Sequence, residues 1–136
     1  MEQELTSRNY VYADILIALA QADGVIQAVE KQLVNDLLSN MSLNPEKLEE
    51  MWLTPRTLDV IENLLKHIED DGFKRCLLKD CYLLAYADEE VDPQESKFIR
   101  RMSKVMDVSP ELLDEIHTWV TNALEQKQKA DKLFGS

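Results

Sequence analysis

Ala85-Tyr86-Ala87-Asp88-Glu89-Glu90-Val91-Asp92-Pro93-Gln94-Glu95 decides how this chain is read. An apolar helical run stops at its start, an acidic bend follows, and a new helix opens at its end. At an offset of 65 residues the same pattern stands earlier, as Ala20-Gln21-Ala22-Asp23-Gly24-Val25-Ile26-Gln27-Ala28-Val29-Glu30. Ala20 lies over Ala85, Ala22 over Ala87, Asp23 over Asp88 and Glu30 over Glu95. The register continues without a gap, so that Met41, Pro45, Glu46 and Leu48 lie over Met106, Pro110, Glu111 and Leu113. A duplicated unit of this kind fixes architecture before any finer feature does. Here the unit is a helix, a carboxylate-rich corner and a second helix.

Working outward, every proline reads as a helix start. Asn44-Pro45, Thr54-Pro55, Asp92-Pro93 and Ser109-Pro110 each place a capping side chain before proline. Proline is at ease in the first helical position, whose N–H has no partner in any case, and the preceding oxygen accepts an orphan donor. Glu95, three residues after Asp92, completes a capping box. The first helix is expected from a cap at Thr6 or Ser7 to about Ala22, with Val11, Ile15, Ala18, Leu19 and Ala22 as its apolar face. A second is expected over about 28–41, a short one from Pro45 to about Leu53, and another from Pro55 with the stripe Leu58, Ile61, Leu65 and Ile68. After a turn at Glu69–Gly72, a strongly apolar helix over about 73–87 is expected to be central, since Leu78, Tyr82 and Leu83 widen its stripe. Helices from Pro93 and Pro110 follow. No stretch alternates as a half-buried strand does.

The expected fold is therefore all-α, a single domain of about seven helices built from two related helical halves. It spans 1–136, with halves at about 8–53 and 73–125 and a polar, fraying tail at about 126–136 in which Leu133 and Phe134 could dock.

Composition narrows the function. A chain of 136 residues can bury a real core. Its net charge of −11 argues against nucleic acid, which needs a basic face, and suits a cation or a basic partner. No apolar run approaches the ~20 residues that cross a bilayer, and no basic region leads into an apolar one at the N-terminus, so neither membrane insertion nor a secretory signal is expected. Cys76 and Cys81, five apart on one helix, are badly placed for a disulfide, which points to the cytoplasm.

Asp23, Glu30, Asp88, Asp92 and Glu95 are hard oxygen donors at matching corners, with Glu89 and Glu90 beside them. Crowded carboxylates raise one another's pKa unless a cation intervenes, and oxygen-only ligation favours Ca²⁺ or Mg²⁺. The competing reading is structural: Glu30 and Glu95 lie in first helical turns, and Asp92 is an N-cap. An EF-hand is excluded, because aligning Gly24 and Glu30 with its loop puts Leu19 where an oxygen ligand must stand. Catalysis has little to rest on. His67 and His117 are isolated, and no phosphate loop, nucleophile elbow or zinc motif occurs. A second function class is a protein-interaction module using Trp52, Trp119, Met51, Met102 and Met106.

The two corners, Ala22-Asp23-Gly24-Val25-Ile26 followed by Glu30 and Ala87-Asp88-Glu89-Glu90-Val91-Asp92-Pro93-Gln94-Glu95, resemble the signature of the TerB-like family. That family includes the tellurite-resistance protein TerB and the N-terminal domain of the DnaJ-like membrane chaperone DjlA. The resemblance covers roughly residues 8 to 125. It implies an all-helical fold of two related halves and a divalent metal on acidic residues, which carry over to Asp23, Glu30, Asp88, Asp92 and Glu95. It also implies association with stress-response machinery, through a protein partner that is in part membrane-associated; with no catalytic motif in the chain, the role is expected to be non-enzymatic. Glu89 replaces the glycine found in the first corner, and Gln27 stands where the second has Asp92, so two equivalent sites are not expected.

Overall fold

The computed structural model describes residues 2–22, 28–54, 57–87 and 92–135. These form α1 (Glu2–Ala20), α2 (Ala28–Leu38), α3 (Pro45–Leu53), α4 (Leu58–Leu65), α5 (Asp71–Ala85), α6 (Pro93–Val105) and α7 (Pro110–Phe134), and no strand lies among the described residues. Pro45, Pro93 and Pro110 each open their helix behind the expected cap. Asn44 accepts from the N–H groups of Glu46 and Lys47, and Ser109 from that of Leu112.

Several boundaries differ from expectation. α1 already begins at Glu2, since nothing in Glu2–Leu5 breaks a helix. α2 stops at Leu38, where the Ser39 hydroxyl donates to the Asp36 carbonyl, and the chain then passes through Ser42 at a positive φ of 55°. α4 starts after Thr57, whose hydroxyl accepts from the Val60 N–H; Pro55, expected to open it, lies outside the described residues. α5 starts two residues early because Asp70 accepts from the Phe73 N–H and caps it. α7 does not end near Leu124 but continues as one helix of 25 residues, and Leu133 and Phe134 are 75% and 80% exposed at its tip rather than docked.

α5 is central as expected, and α1 is its equal. From Val11 to Ala20 every residue but Ala18 is buried, because α1 packs against α2, α3, α4, α5 and α6. One apolar face was expected there; Tyr12, Ala13, Leu16 and Ile17 are buried as well. A helix buried on all sides needs apolar residues all round.

The offset of 65 reappears in the backbone. Ala20 and Ala85 end α1 and α5, Ala28 and Pro93 begin α2 and α6, and Pro45 and Pro110 begin α3 and α7. The two non-glycine residues of positive φ among those described, Ser42 and Asp107, are themselves 65 apart. Packing follows the same rule in reciprocal form. α1 packs on α6 as α5 packs on α2, and α1 on α3 as α5 on α7. This is the contact pattern of two units about an approximate twofold axis, in which residue i of one meets j of the other and the reverse.

Candidate functional site

The corners lie where α1 and α5 end. The N–H groups of Gln21 and Ala22 bond back to Ile17 and Leu19 at 3.2 and 3.1 Å, and those of Tyr86 and Ala87 to Tyr82 and Leu84 at 3.0 Å each. Asp23 and Asp88, two of the five candidate ligands, then fall outside the described residues. The other three are placed. Asp92 is the N-cap of α6: its carboxylate accepts from the Gln94 N–H at 2.7 Å, and its own N–H donates to Glu95 at 3.4 Å, closing the capping box. Glu95 is only 4% exposed, and Glu30, at the matching place in α2, is 3% exposed. Burying a carboxylate is costly unless it is compensated, and the molecule does so twice at positions 65 apart. The structure thus brings Asp92 and Glu95 together through the cap. No three His, Cys, Asp or Glu side chains gather closely enough to hold a metal among the described residues.

Two surface grooves flank these helix ends. One is lined by Ala18, Gln21 and Ala22 of the α1 end and by Gln94, Lys97, Phe98 and Arg101 of α6, with Thr57 and Leu58 beside them. The other is lined by Leu83, Tyr86 and Ala87 and by Val29, Gln32, Leu33 and Asp36, that is, by the same seven positions shifted by 65. The described flanks of the two corners therefore line common grooves, Ala22 with Gln94 in one and Ala87 with Val29 in the other. The grooves have diverged in charge and size. Lys97 and Arg101 make the first basic, and it encloses about 550 Å³. Asp36, with Glu125 and Asp131 from α7 against the single Lys127, makes the second acidic, at about 960 Å³.

A buried polar pair escaped the sequence reading. The Tyr12 hydroxyl of α1 donates to Asp80 of α5 within the core, and Lys79 stands 3.6 Å from the other carboxylate oxygen. Burial pushes both acids up: the Tyr12 phenol by desolvation and then by the Asp80 charge, and the Asp80 carboxyl by desolvation, against the lowering pull of the Tyr12 bond. Asp14 is buried nearby in sequence on α1. The available signal was a carboxylate inside each of two nearly unbroken apolar runs, Val11–Leu16 and Leu77–Leu84.

Most of the remaining candidates belong to the packing of the helices. His117 stacks on Tyr82 with ring centroids 4.3 Å apart, and its Nε2 meets the Tyr86 hydroxyl at 2.7 Å. Burial, followed by the nearby Asp114 charge, raises the Tyr82 phenol to about 12. His67 is exposed just beyond α4. Trp52, Met102 and Met106, expected to form an anchoring surface, are core residues instead, because their helical spacing turns them inward, and Met51 packs against that core. Of that set, only Trp119 stands out, 59% exposed. Cys76 is exposed and Cys81 buried, both as free thiols, and no described helix is long and apolar enough to cross a membrane.

No curated protein and no solved structure matches the chain. The family model described as tellurite resistance protein TerB matches residues 11–118, from the first buried turn of α1 to the middle of α7. Both corners, both grooves and the Tyr12–Asp80 pair fall within that span, and the chain belongs to the TerB family.

Proposed function

We propose that this chain is a non-enzymatic, cytoplasmic stress-response module of the tellurite-resistance type. In this reading it takes a divalent cation, Ca²⁺ or Mg²⁺, at its carboxylate corners and engages a protein partner that is in part membrane-associated. The observation that carries the cation reading is the matched burial of Glu30 and Glu95 in the first turns of α2 and α6, beside corners that also hold Asp23 and Asp88. An all-oxygen donor set of this kind suits a hard cation, which would supply charge compensation there. Asp23, Glu30, Asp88 and Glu95 are the residues that would hold it. Asp92 contributes chiefly as the cap of α6, its carboxylate already bonded to the helix N–H groups. The packing of His117 between Tyr82 and Tyr86, and a family not known for enzymes, support the non-enzymatic assignment.

Calorimetry with Ca²⁺, Mg²⁺ and Mn²⁺ tests this. Binding heat and a raised melting temperature are expected at millimolar cation or below, with Asp88→Asn weakening binding at least about tenfold. The absence of both binding heat and a melting shift at millimolar cation would overturn it. A second reading would then stand, in which the corner carboxylates serve as caps and the chain binds its partner without metal. The complete capping box at Asp92 and Glu95 favours that alternative.

A further inference from the structure

The two grooves are the same feature seen twice, and one is bordered by a helix that has no counterpart at the other. α4 bridges α1 and α6 on the basic side, burying Ile61 and Leu65, with Leu58 partly buried on the same stripe. Glu62 on α4 forms an ion pair with Arg101 of α6. On the acidic side the chain does not turn back after the matching helix. α7 runs straight on, packing along α5 and standing across the groove from α2, and among the described helices none bridges α5 and α2 as α4 bridges α1 and α6. The place corresponding to α4 is open, with Leu33, Leu83 and Leu124 along it and Val29 half-exposed at its edge. The position that matches Arg101 is Asp36.

The geometry points to this acidic groove as the docking site for a short amphipathic helix of a protein partner, lying as α4 lies on the other side but with its charge reversed. Its apolar residues would recur at α4's spacing of three, then four. A lysine or arginine would stand where α4 carries Glu62, meeting Asp36, and other basic residues would face Glu125 and Asp131. Helix-in-groove recognition reads such a stripe by its anchors, and the charges set register and select the partner. This deepens the partner-binding part of the proposed function and does not depend on the cation.

The test uses the full chain and a synthetic peptide of residues 57–68 carrying Asp59→Lys and Glu62→Lys, with the unaltered peptide as control. Titration by fluorescence anisotropy, without divalent cation, is expected to show the charge-reversed peptide binding at least about tenfold tighter than the control. Asp36→Arg, at an exposed position that leaves the core intact, should weaken the charge-reversed peptide by a similar factor, and Val29→Gln by less. Amide shifts on binding should map to α2, the α5 end and α7. No binding, equal binding of both peptides, or binding indifferent to Asp36→Arg would each overturn the proposal. Self-association abolished by Asp36→Arg would also overturn it, by assigning the groove to a second copy. A native partner whose binding ignores Asp36→Arg would sink the groove while leaving the partner-binding function standing.

Discussion

The half around α1 and the half around α5 are built on one plan, and the places where they disagree are more informative than those where they agree. Both have a buried helix, a corner, a helix with a buried first-turn glutamate, and a proline-started third helix. After the third helix they part. The first half breaks at Leu53 and lays α4 across α1 and α6, whereas the second extends α7 along the edge of its groove and bridges it with no further helix among those described. The shared features belong to the core, where a substitution is felt at once. The differences lie at the surface, at Arg101 against Asp36 and in the path of the chain beyond the third helix, and at one polar pair inside the core.

If the halves are truly equivalent, matched substitutions should have matched costs. Leu19→Ala and Leu84→Ala, both fully buried and 65 apart, should each destabilise by about 2–5 kcal/mol in denaturant titrations. A gap between them as large as either cost would break the comparison.

The Tyr12–Asp80 pair sharpens it, because the matching positions are Leu77 and Ile15, both fully buried and apolar. Tyr12→Leu alone leaves Asp80 without its hydroxyl donor and should cost about 1–3 kcal/mol. Tyr12→Leu with Asp80→Ile copies the other side and should recover most of that loss, since replacing both members of a buried polar pair is often neutral. The pH dependence has a definite sign. Burial raises the Asp80 carboxyl above its ordinary 3.8, so its favourable contribution is complete below that value and is lost as pH climbs through the folded-state value. Asp80→Asn lacks this dependence. Its melting temperature should therefore gain on that of the wild type as pH rises from about 4 to 7.

Smaller effects test the caps and the turns. Asn44→Ala and Ser109→Ala should each cost about 1 kcal/mol, measured by thermal unfolding. Ser42→Gly and Asp107→Gly relieve a left-handed backbone at matching turns and should each stabilise by up to about 1 kcal/mol.

Much of the fold was legible because its signals are local. A capping oxygen before proline acts on the next few N–H groups, so Asn44, Asp92 and Ser109 announce α3, α6 and α7 without help from the rest of the chain. The repeat was legible because both copies keep residue identity at the corners. What stayed hidden depends on packing between distant segments. Nothing local says that α1 is enclosed by five neighbours, or that Tyr12 reaches an aspartate 68 residues away. The grooves were invisible for the same reason, since each combines the end of one half's first helix with the other half's second. Of the candidate ligands, Asp92 and Glu95 were legible as a cap, and the burial of Glu30 and Glu95 emerged only from the folded core.

The exchanged packing of α1 on α6 and α5 on α2 is what a homodimer of a half-length chain would make. In such an assembly every substitution is expressed twice, so one groove cannot turn basic without its twin doing the same. Joining the copies in one polypeptide removes that constraint, and it makes their association independent of dilution. Each copy can then specialise alone, one groove bordered by the connecting segment and the other free of it.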